Sequence, residues 1–303
     1  MSLFDSLIRT TLPVTPRPVV HFFARRYVAG TALADAVATV GRLTAESCCA
    51  TIDVLGESVT SRELAQTAVA AYLEVLETIV VRSLNANVSL KPTQMGLQID
   101  EGFCHDNIAT ILERASGHGI FVRIDMEDSP TTDATLRIYR RLVTRFPGRC
   151  GVVLQSRLRR TLGDAAALAA TGANVRLCKG IYLEPRSVAY EDREIIRDNF
   201  VHVLRALLSG GSYVGIATHD EWLVAEALAL IQQLGLGRDR YEFQMLLGVD
   251  PELRRILTRE GHRLRVYVPF GSHWYPYSVR RLRENPSIAR MGLEAFLRGR
   301  MEA

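Results

Sequence analysis

The chain has 303 residues, of which 48% are hydrophobic and 23% are charged, and its net charge is +4. This composition predicts a soluble globular protein with room for two domains or for one α/β barrel. The net charge is small for this length and no block of basic residues occurs, which argues against nucleic-acid binding.

The five cysteines have no spacing typical of a disulfide framework or a metal site. Cys48 and Cys49 are adjacent and the others are scattered, so we expect reduced thiols, a cytosolic compartment and no bound metal. We also expect no signal peptide and no membrane span, because no uninterrupted apolar run reaches about 18 residues.

From Ala50 onward the chain repeats a short aliphatic run, a polar loop and a helical stretch. We predict eight strands, at 50–55, 88–91, 121–125, 151–155, 175–179, 213–218, 241–246 and 264–268. Eight strand–helix units of this length predict an α/β fold of the (β/α)₈ TIM-like barrel type. A doubly wound open sheet is the alternative, which the absence of a G-x-G-x-x-G turn after the first strand disfavours.

The predicted barrel divides the chain into three parts. They are an N-terminal helical arm at 1–47, the barrel domain at 48–285 and a C-terminal helix at 286–303. Within the arm, 3–8 and 19–28 have helical character, and prolines separate them. We expect the arm to pack on the barrel, as most amphipathic helices of soluble chains do, with a membrane surface as the alternative.

Only two of the 37 basic residues are lysines, and each ends a predicted strand. Active-site residues of a barrel lie at the C-terminal ends of the strands. Lysine at positions 91 and 179 of an otherwise arginine-rich chain therefore indicates a need for a compact, titratable charge. Chance would also leave two lysines, but it does not explain their common position.

The other strand ends are also polar. They carry Asp53, Glu57, Asp125, Glu127, Gln155, Arg176, Tyr182, Thr218, His219, Asp220, Gln244 and Tyr267. Barrel rims are polar in general, but this set predicts a deep site with paired charges. A histidine such as His219 is as often a structural hydrogen-bonding residue as a functional one.

Beyond the eighth strand, Tyr277 precedes Arg280 and Arg281 by three and four residues, so the three share a helix face. Two adjacent arginines together with Lys91 can hold one small anion, most naturally a carboxylate. A solvated basic helix face is the alternative, but the aromatic neighbours favour a lid over the barrel mouth.

Taken together, these motifs resemble the proline dehydrogenase family in its bacterial single-function form. They follow the family's order at 4–7, 52–57, 88–91, 124–127, 175–182, 217–219, 242–248, 266–271 and 277–282. The R-L-x-K-G-x-Y block at 176–182 and the Y-x-x-R-R block at 277–281 are the most specific. The resemblance implies a distorted (β/α)₈ barrel that binds FAD without a Rossmann fold and oxidises L-proline to Δ1-pyrroline-5-carboxylate.

The resemblance also implies residue roles. Lys91, Arg280 and Arg281 would hold the substrate carboxylate, and Tyr182, Leu246, Tyr267 and Tyr277 would line the ring pocket. Asp125 and Arg176 match the family's catalytic positions. The flavin would contact Met126, Gln155, Arg176, Lys179, Gly180, Ile181, Thr218 and His219, with Glu284 contacting the cofactor or orienting the arginines. We expect Asp125 to orient Lys91 or the two arginines rather than to act as a base, because its charge would keep the substrate amine protonated.

For the rest of the reaction, the resemblance implies electron transfer to a membrane quinone and peripheral association with the inner face of the plasma membrane. A separate dehydrogenase would carry out the second oxidation, to glutamate. The segment 267–277 is shorter than in the large bifunctional members, which predicts a looser lid. Two rival functions stay open: a barrel aldolase using Lys91 or Lys179 as a Schiff-base nucleophile, and an amino-acid-binding barrel without redox activity.

Overall fold

A computed structural model describes residues 20, 21 and 24–284, with side chains as far as Val279. The predicted helix at 3–8 and the C-terminal helix at 286–303 lie outside the described residues. The predicted helix at 19–28 is described only in part, so the proposed domain boundaries stay predictions.

Eight parallel strands close into a barrel, with a helix after each strand. The strands are β1 Cys49–Val54, β2 Ala86–Leu90, β3 Val122–Ile124, β4 Cys150–Gln155, β5 Asn174–Cys178, β6 Tyr213–Ala217, β7 Tyr241–Leu246 and β8 Leu264–Phe270. The helices are α1 Leu33–Ala45, α2 Arg62–Val81, α3 Glu101–Gly117, α4 Thr132–Arg145, α5 Thr161–Ala169, α6 Arg193–Ser209, α7 Glu221–Gln233, α8 Pro251–Arg259 and α9 Trp274–Glu284, with a short 3₁₀ turn at Ser129–Thr131.

Each strand pairs in parallel with its neighbours in the sequence, and β1 pairs with β8 to close the ring. The predicted (β/α)₈ barrel is therefore confirmed, and the open-sheet alternative is wrong. Local signals set the helix starts: Ser61 caps α2 by accepting from the Leu64 N–H, and Asp250 caps α8 ahead of Pro251.

The strands bury both faces, but the two faces differ in chemistry. Aliphatic residues such as Ile52, Val88 and Ile124 are fully buried, as expected beneath the outer helices. The barrel interior, in contrast, carries charge: Arg176 of β5 donates to Ser89 of β2, and Arg265 of β8 donates to Glu242 of β7. A bond such as that from β5 to β2, between strands that are not neighbours, has to cross the interior.

Helix α2 is long and apolar enough, by length and composition, to cross a membrane. A core helix of a globular protein passes the same test, and α2 buries Tyr72, Leu76 and Ile79. The sequence expectation rested on uninterrupted apolar runs, which Glu74 and Glu77 break within this helix.

Gly151 of β4 makes room for a guanidinium from the neighbouring strand. A Cβ at this position would lie 2.4 Å from Arg123 Nη1 and 2.4 Å from the Asn174 carbonyl oxygen. Arg123 Nη1 donates to the carbonyl oxygens of Val152 and Asn174, at 3.0 and 2.9 Å. One arginine thus ties β3, β4 and β5 together across a position that has no side chain.

We predict that Gly151→Ala lowers the free energy of unfolding by about 1–3 kcal/mol, because the backbone oxygen it meets cannot move freely. Gly163→Ala in α5 is the matched control, since its Cβ would meet nothing within 4 Å. In a helix this control should gain up to about 1 kcal/mol. Urea unfolding of both variants tests the pair, and equal stability of the Gly151→Ala variant and wild type would contradict the steric argument.

Candidate active site

A cavity opens at the C-terminal ends of the strands. Eleven of the residues assigned from the sequence line it: Lys91, Asp125, Met126, Arg176, Gly180, Ile181, Tyr182, His219, Leu246, Tyr267 and Tyr277. Gln155, Lys179 and Thr218 are not among the lining residues, and the side chains of Arg280, Arg281 and Glu284 lie outside the described part of the chain.

Lys91 lies one residue beyond the end of β2 and is 6% exposed. Its Nζ donates to both carboxylate oxygens of Asp53, at 2.9 and 3.0 Å, and to the Tyr267 hydroxyl at 3.4 Å. Burial by itself would lower the pKa of Lys91, but Asp53 and Asp125 outweigh it and hold the pKa above its ordinary value. Lys91 is therefore a charged ammonium with a dedicated counter-ion.

Asp125 follows β3 and pairs with Arg176. Arg176 Nη1 lies 2.8 Å from Asp125 Oδ1, which also accepts a 2.7 Å bond from the Ser89 hydroxyl. Asp125 Oδ2 accepts from the Tyr267 hydroxyl at 3.2 Å. Asp125 thus orients Arg176. The prediction that it orients Lys91 or the arginine pair Arg280 and Arg281 stays a prediction, because those two side chains lie outside the described residues; the hydrogen bonds of Lys91 go to Asp53 and Tyr267 instead.

Tyr267 connects the two ion pairs. Its hydroxyl accepts from Lys91 and donates to Asp125, and the Arg176 guanidinium carbon lies 5.4 Å from its ring centre. Burial, followed by the charges of Asp53 and Asp125, raises the pKa of Tyr267 well above its ordinary value. The phenol therefore stays protonated, as its role as a donor to Asp125 requires.

Gln155 and Gly180 meet at the edge of the cavity. Gln155 Nε2 donates to the Glu127 carbonyl oxygen at 2.7 Å, while its buried Oε1 has no hydrogen-bond partner among the described residues. Gly180 has a φ of +94°, and a Cβ there would lie 2.6 Å from Gln155 Oε1. An acceptor without a protein donor, beside a cradle that only glycine leaves open, suits a bound ligand with an N–H group.

Lys179 and Thr218 hold the rim rather than the cavity wall. Lys179 Nζ lies 2.9 Å from Asp220 Oδ2, and the Thr218 hydroxyl accepts from the Asp220 N–H at 3.1 Å. Arg197 also binds this carboxylate. Burial works against ionisation of Asp220, but Arg197 and Lys179 keep its pKa well below the ordinary value. Lys179 thus belongs to a rim cluster of ion pairs.

His219 joins the ends of two strands. Its Nε2 accepts from the Leu246 backbone N–H at 3.0 Å, so this nitrogen carries no proton. The contact fixes the ring at the cavity wall and ties β6 to β7.

Glu127 is a buried carboxyl beneath the loops and is 4% exposed. Its two oxygens accept from the Thr93 N–H at 2.8 Å and the Thr93 hydroxyl at 2.6 Å. Burial raises the pKa of Glu127 to about 7, despite the lowering effect of these hydrogen bonds and of Lys91.

The sequence placed Asp53 and Gln244 at the strand ends without giving them a role, and it did not single out Ser89; these three residues hold Lys91, Arg176 and Asp125, respectively. Gln244 Oε1 accepts from Arg176 Nε at 2.6 Å. Alternation of inward and outward residues along β1, β2 and β7 places all three inside the barrel. That periodicity was the available signal, although it does not reveal which partners they contact.

This geometry defines a class of protein: a (β/α)₈-barrel enzyme whose catalytic cavity is lined by desolvated, paired charges. The comparisons with known proteins are more specific. The family described as proline dehydrogenase matches residues 36–291, and the chain belongs to this family. The resemblance seen in the sequence is thereby confirmed, and the chain is an oxidoreductase of proline catabolism.

Among its relatives, proline dehydrogenase 1 of Bacillus subtilis (strain 168) is 36% identical over 275 residues, covering 91% of both chains. Proline dehydrogenase of Deinococcus radiodurans is 34% identical and covers 98% of this chain and 100% of its own. A crystal structure of proline utilization A (PutA) from Bdellovibrio bacteriovorus inactivated by N-propargylglycine superposes with a TM-score of 0.82 over 87% of this chain, at 23% identity. This chain spans 32% of that one, and the likeness shows the fold.

We predict that Asp53→Asn lowers the free energy of unfolding by about 3–5 kcal/mol, because it leaves the ammonium of Lys91 buried without a counter-ion. The double change Asp53→Asn with Lys91→Met should recover most of this loss, since no buried charge is then unpaired. Glu77→Gln, which breaks an exposed pair with Arg114, is the control and should cost about 1 kcal/mol or less. A double variant as unstable as Asp53→Asn would show that the pairing is not the cause.

A second prediction concerns pH. The folded protein holds the Glu127 proton up to about pH 7, whereas the unfolded chain loses it near its ordinary value of 4.5. Ionising Glu127 therefore destabilises the fold as pH rises between these values. Glu127→Gln removes this effect. The free energy of unfolding of the variant minus that of wild type should therefore rise by roughly 3 kcal/mol as the pH goes from about 4.5 to about 8. Chemical unfolding across this range measures the difference, with the exposed Glu113→Gln as a control for net charge; parallel curves would refute the assignment.

Proposed function

We propose that this protein oxidises L-proline to Δ1-pyrroline-5-carboxylate with FAD as cofactor and passes the electrons to a quinone. The observation that carries the proposal is the division of the cavity into two kinds of wall. Lys91 and Arg176, each paired with a carboxylate, give it a side of charged hydrogen-bond donors, while Met126, Ile181 and Leu246 give it an apolar one. A small ring with one carboxylate and a flat aromatic cofactor need these two environments side by side.

A flavin fits the residues present. The free acceptor Gln155 Oε1 faces the Gly180 cradle and suits an imide N–H, and apolar side chains offer a face for a ring. We assign cofactor contacts to Met126, Gln155, Arg176, Gly180, Ile181 and His219, with Lys179, Thr218 and Glu284 retained from the family pattern. When bound, the flavin supplies the acceptor for a hydride from the substrate.

The substrate carboxylate is assigned to Lys91, Arg280 and Arg281. Asp53 already balances the charge of Lys91, so we assign the excess positive charge to the two arginines. Lys91 then orients the substrate carboxylate rather than supplying net charge, since its ammonium is held in place by Asp53 and Tyr267. Holding the carboxylate in one orientation turns a collision into a reactive pose.

The ring pocket is assigned to Tyr182, Leu246, Tyr267 and Tyr277, all of which line the cavity. The substrate nitrogen has to be neutral to release a hydride from the neighbouring carbon, and nearby positive charge favours loss of its proton. The oxygens of Asp125 already accept from Arg176, Ser89 and Tyr267. This supports an orienting role for Asp125 rather than that of a base.

We further propose a membrane quinone as the electron acceptor, with the protein cytoplasmic and peripheral on the inner face of the plasma membrane. The product would pass to a separate pyrroline-5-carboxylate dehydrogenase. No nucleic acid is involved. These parts of the proposal rest on the family and on the modest net charge.

The aldolase alternative is disfavoured by the state of the two lysines. A Schiff-base nucleophile has to be a neutral amine at working pH. The pKa of Lys91 is instead held above its ordinary value, after burial is overcome by Asp53 and Asp125. Lys179 is bound to Asp220 at the rim and does not line the cavity.

The proposed function predicts that the purified holoenzyme is yellow and bleaches with L-proline in the absence of oxygen. A soluble quinone analogue should restore the colour, and NAD should not. The double variant Asp53→Asn with Lys91→Met should stay yellow but need roughly 10- to 100-fold more proline, because a charge-assisted hydrogen bond to the carboxylate is lost. D-proline is the matched control for orientation. A colourless protein, or one whose colour ignores proline, would overturn the proposal.

A further inference from the structure

We propose that Glu242 and Arg265, at the base of the barrel interior, are positioning residues that set the orientation of Arg176 by acting through the Gln244 amide. The role of Arg176 beside a flavin rests on the proposed function, but the positioning itself does not. Neither Glu242 nor Arg265 lines the cavity, so both act at a distance.

The chain of contacts begins at the base of the barrel. Arg265 Nε and Nη2 donate to the two oxygens of Glu242, at 2.7 and 3.1 Å, and its Nη1 donates to the Ala50 carbonyl oxygen at 2.8 Å. Arg263 adds a third contact to Glu242 at 3.1 Å. The carboxylate is thus held by two guanidinium groups, one of which is anchored to β1.

Glu242 is charged although it is only 2% exposed. Burial by itself would raise its pKa, but Arg265, the Gln244 amide and Arg263 outweigh it and keep the pKa below the ordinary value. A carboxylate accepts hydrogen bonds and donates none. Any amide in contact with it has to present its NH₂ group.

Gln244 makes that contact. Its Nε2 donates to Glu242 Oε1 at 2.6 Å, so its Oε1 has to point away from Glu242. On that side Oε1 accepts from Arg176 Nε at 2.6 Å. The direction of the amide is therefore fixed from both ends, by a carboxylate that only accepts and by an Arg176 N–H that only donates.

Arg176 is then fixed from two sides. Gln244 holds Nε, while Asp125 and Ser89 hold Nη1 at 2.8 and 3.2 Å. The guanidinium is planar and rigid, so fixing two nitrogens fixes the third. Nη2 has no hydrogen bond to a described residue, and Arg176 lines the cavity, so Nη2 is the group left for a ligand.

The path from Gln244 to Arg176 crosses an intervening strand. β6 lies between β5 and β7, and its Gly215 pairs in register with both Arg176 and Glu242. A Cβ on Gly215 would lie 2.4 Å from Gln244 Nε2 and 2.8 Å from its Cδ. The missing side chain is what lets the Gln244 amide extend over β6 to Arg176.

Glu242→Gln tests the proposal, because a neutral amide binds the Gln244 NH₂ group and Arg265 more weakly than a carboxylate does and so loosens the support of Gln244. In the flavin-free protein, the Nε–H signal of Arg176 in a nitrogen–proton NMR spectrum should shift; Arg176→Lys identifies the signal by its loss. In the holoenzyme we expect kcat to fall about 10-fold or more with KM for proline within about 3-fold, since a small misplacement costs rate rather than binding. The flavin reduction potential should change in the same variant.

Glu46→Gln is the matched control, because it likewise removes the carboxylate partner of a buried arginine, Arg254, far from this path. Gly215→Ala is a second variant that displaces a flexible side chain while leaving every charge in place, and it should also shift the Arg176 signal. It serves as the test if Glu242→Gln fails to fold.

An unchanged Arg176 signal and unchanged kcat in a folded Glu242→Gln or Gly215→Ala variant would overturn the proposal. Equal effects in Glu46→Gln would also overturn it, since they would show a general loss of stability. If wild type fails to respond to proline, the proposed function is refuted while the Arg176 signal still decides the positioning role.

Discussion

The requirement that a buried charge be paired or hydrogen-bonded governs the interior of this barrel. Lys91 pairs with Asp53, Arg176 with Asp125 and Arg265 with Glu242, and all are nearly inaccessible to water. Desolvating each ion costs several kcal/mol, which the pairing recovers only in good geometry. Apolar side chains of the same volume often give an interior that is equally stable or more stable. The charges are therefore better explained by what they do at the cavity than by stability.

The pairs are connected, and this makes the interior one structural unit. The Tyr267 hydroxyl joins the Lys91 pair to the Asp125 pair, and the Gln244 amide joins Arg176 to the Glu242 pair. Each connection uses a group that donates on one side and accepts on the other. A substrate or cofactor that meets Lys91 or Arg176 thus meets a group whose direction is already set, which is the condition for electrostatic stabilisation without reorganisation.

The sequence predicted the fold and most of the cavity wall because both follow local rules. Strand periodicity and caps such as Ser61 and Asp250 depend on a few neighbouring residues. The partners inside the barrel do not. Arg176 bonds to residues 51 and 68 positions away in the chain, across strands that are not neighbours. Such contacts depend on the stagger of the strands and on the close approach that a glycine such as Gly215 permits. Residue periodicity in one sequence reveals neither of these.

The same geometry explains why one of the two cations that line the cavity is lysine and the other is arginine. Lys91 directs a single nitrogen at three oxygens, two from Asp53 and one from Tyr267, and a compact ammonium fits such a group of acceptors. Arg176 donates to Gln244 on one side and to Asp125 on the other, and it still presents a donor to the cavity. These three contacts need the three separate nitrogens of a guanidinium. Lysine at 176 would lose one of these contacts, and arginine at 91 would extend past Asp53. The presence of lysine at position 91 of this arginine-rich chain therefore has a physical reason. Lys179 shares Asp220 with Arg197, and its retention has no comparable explanation in the structure.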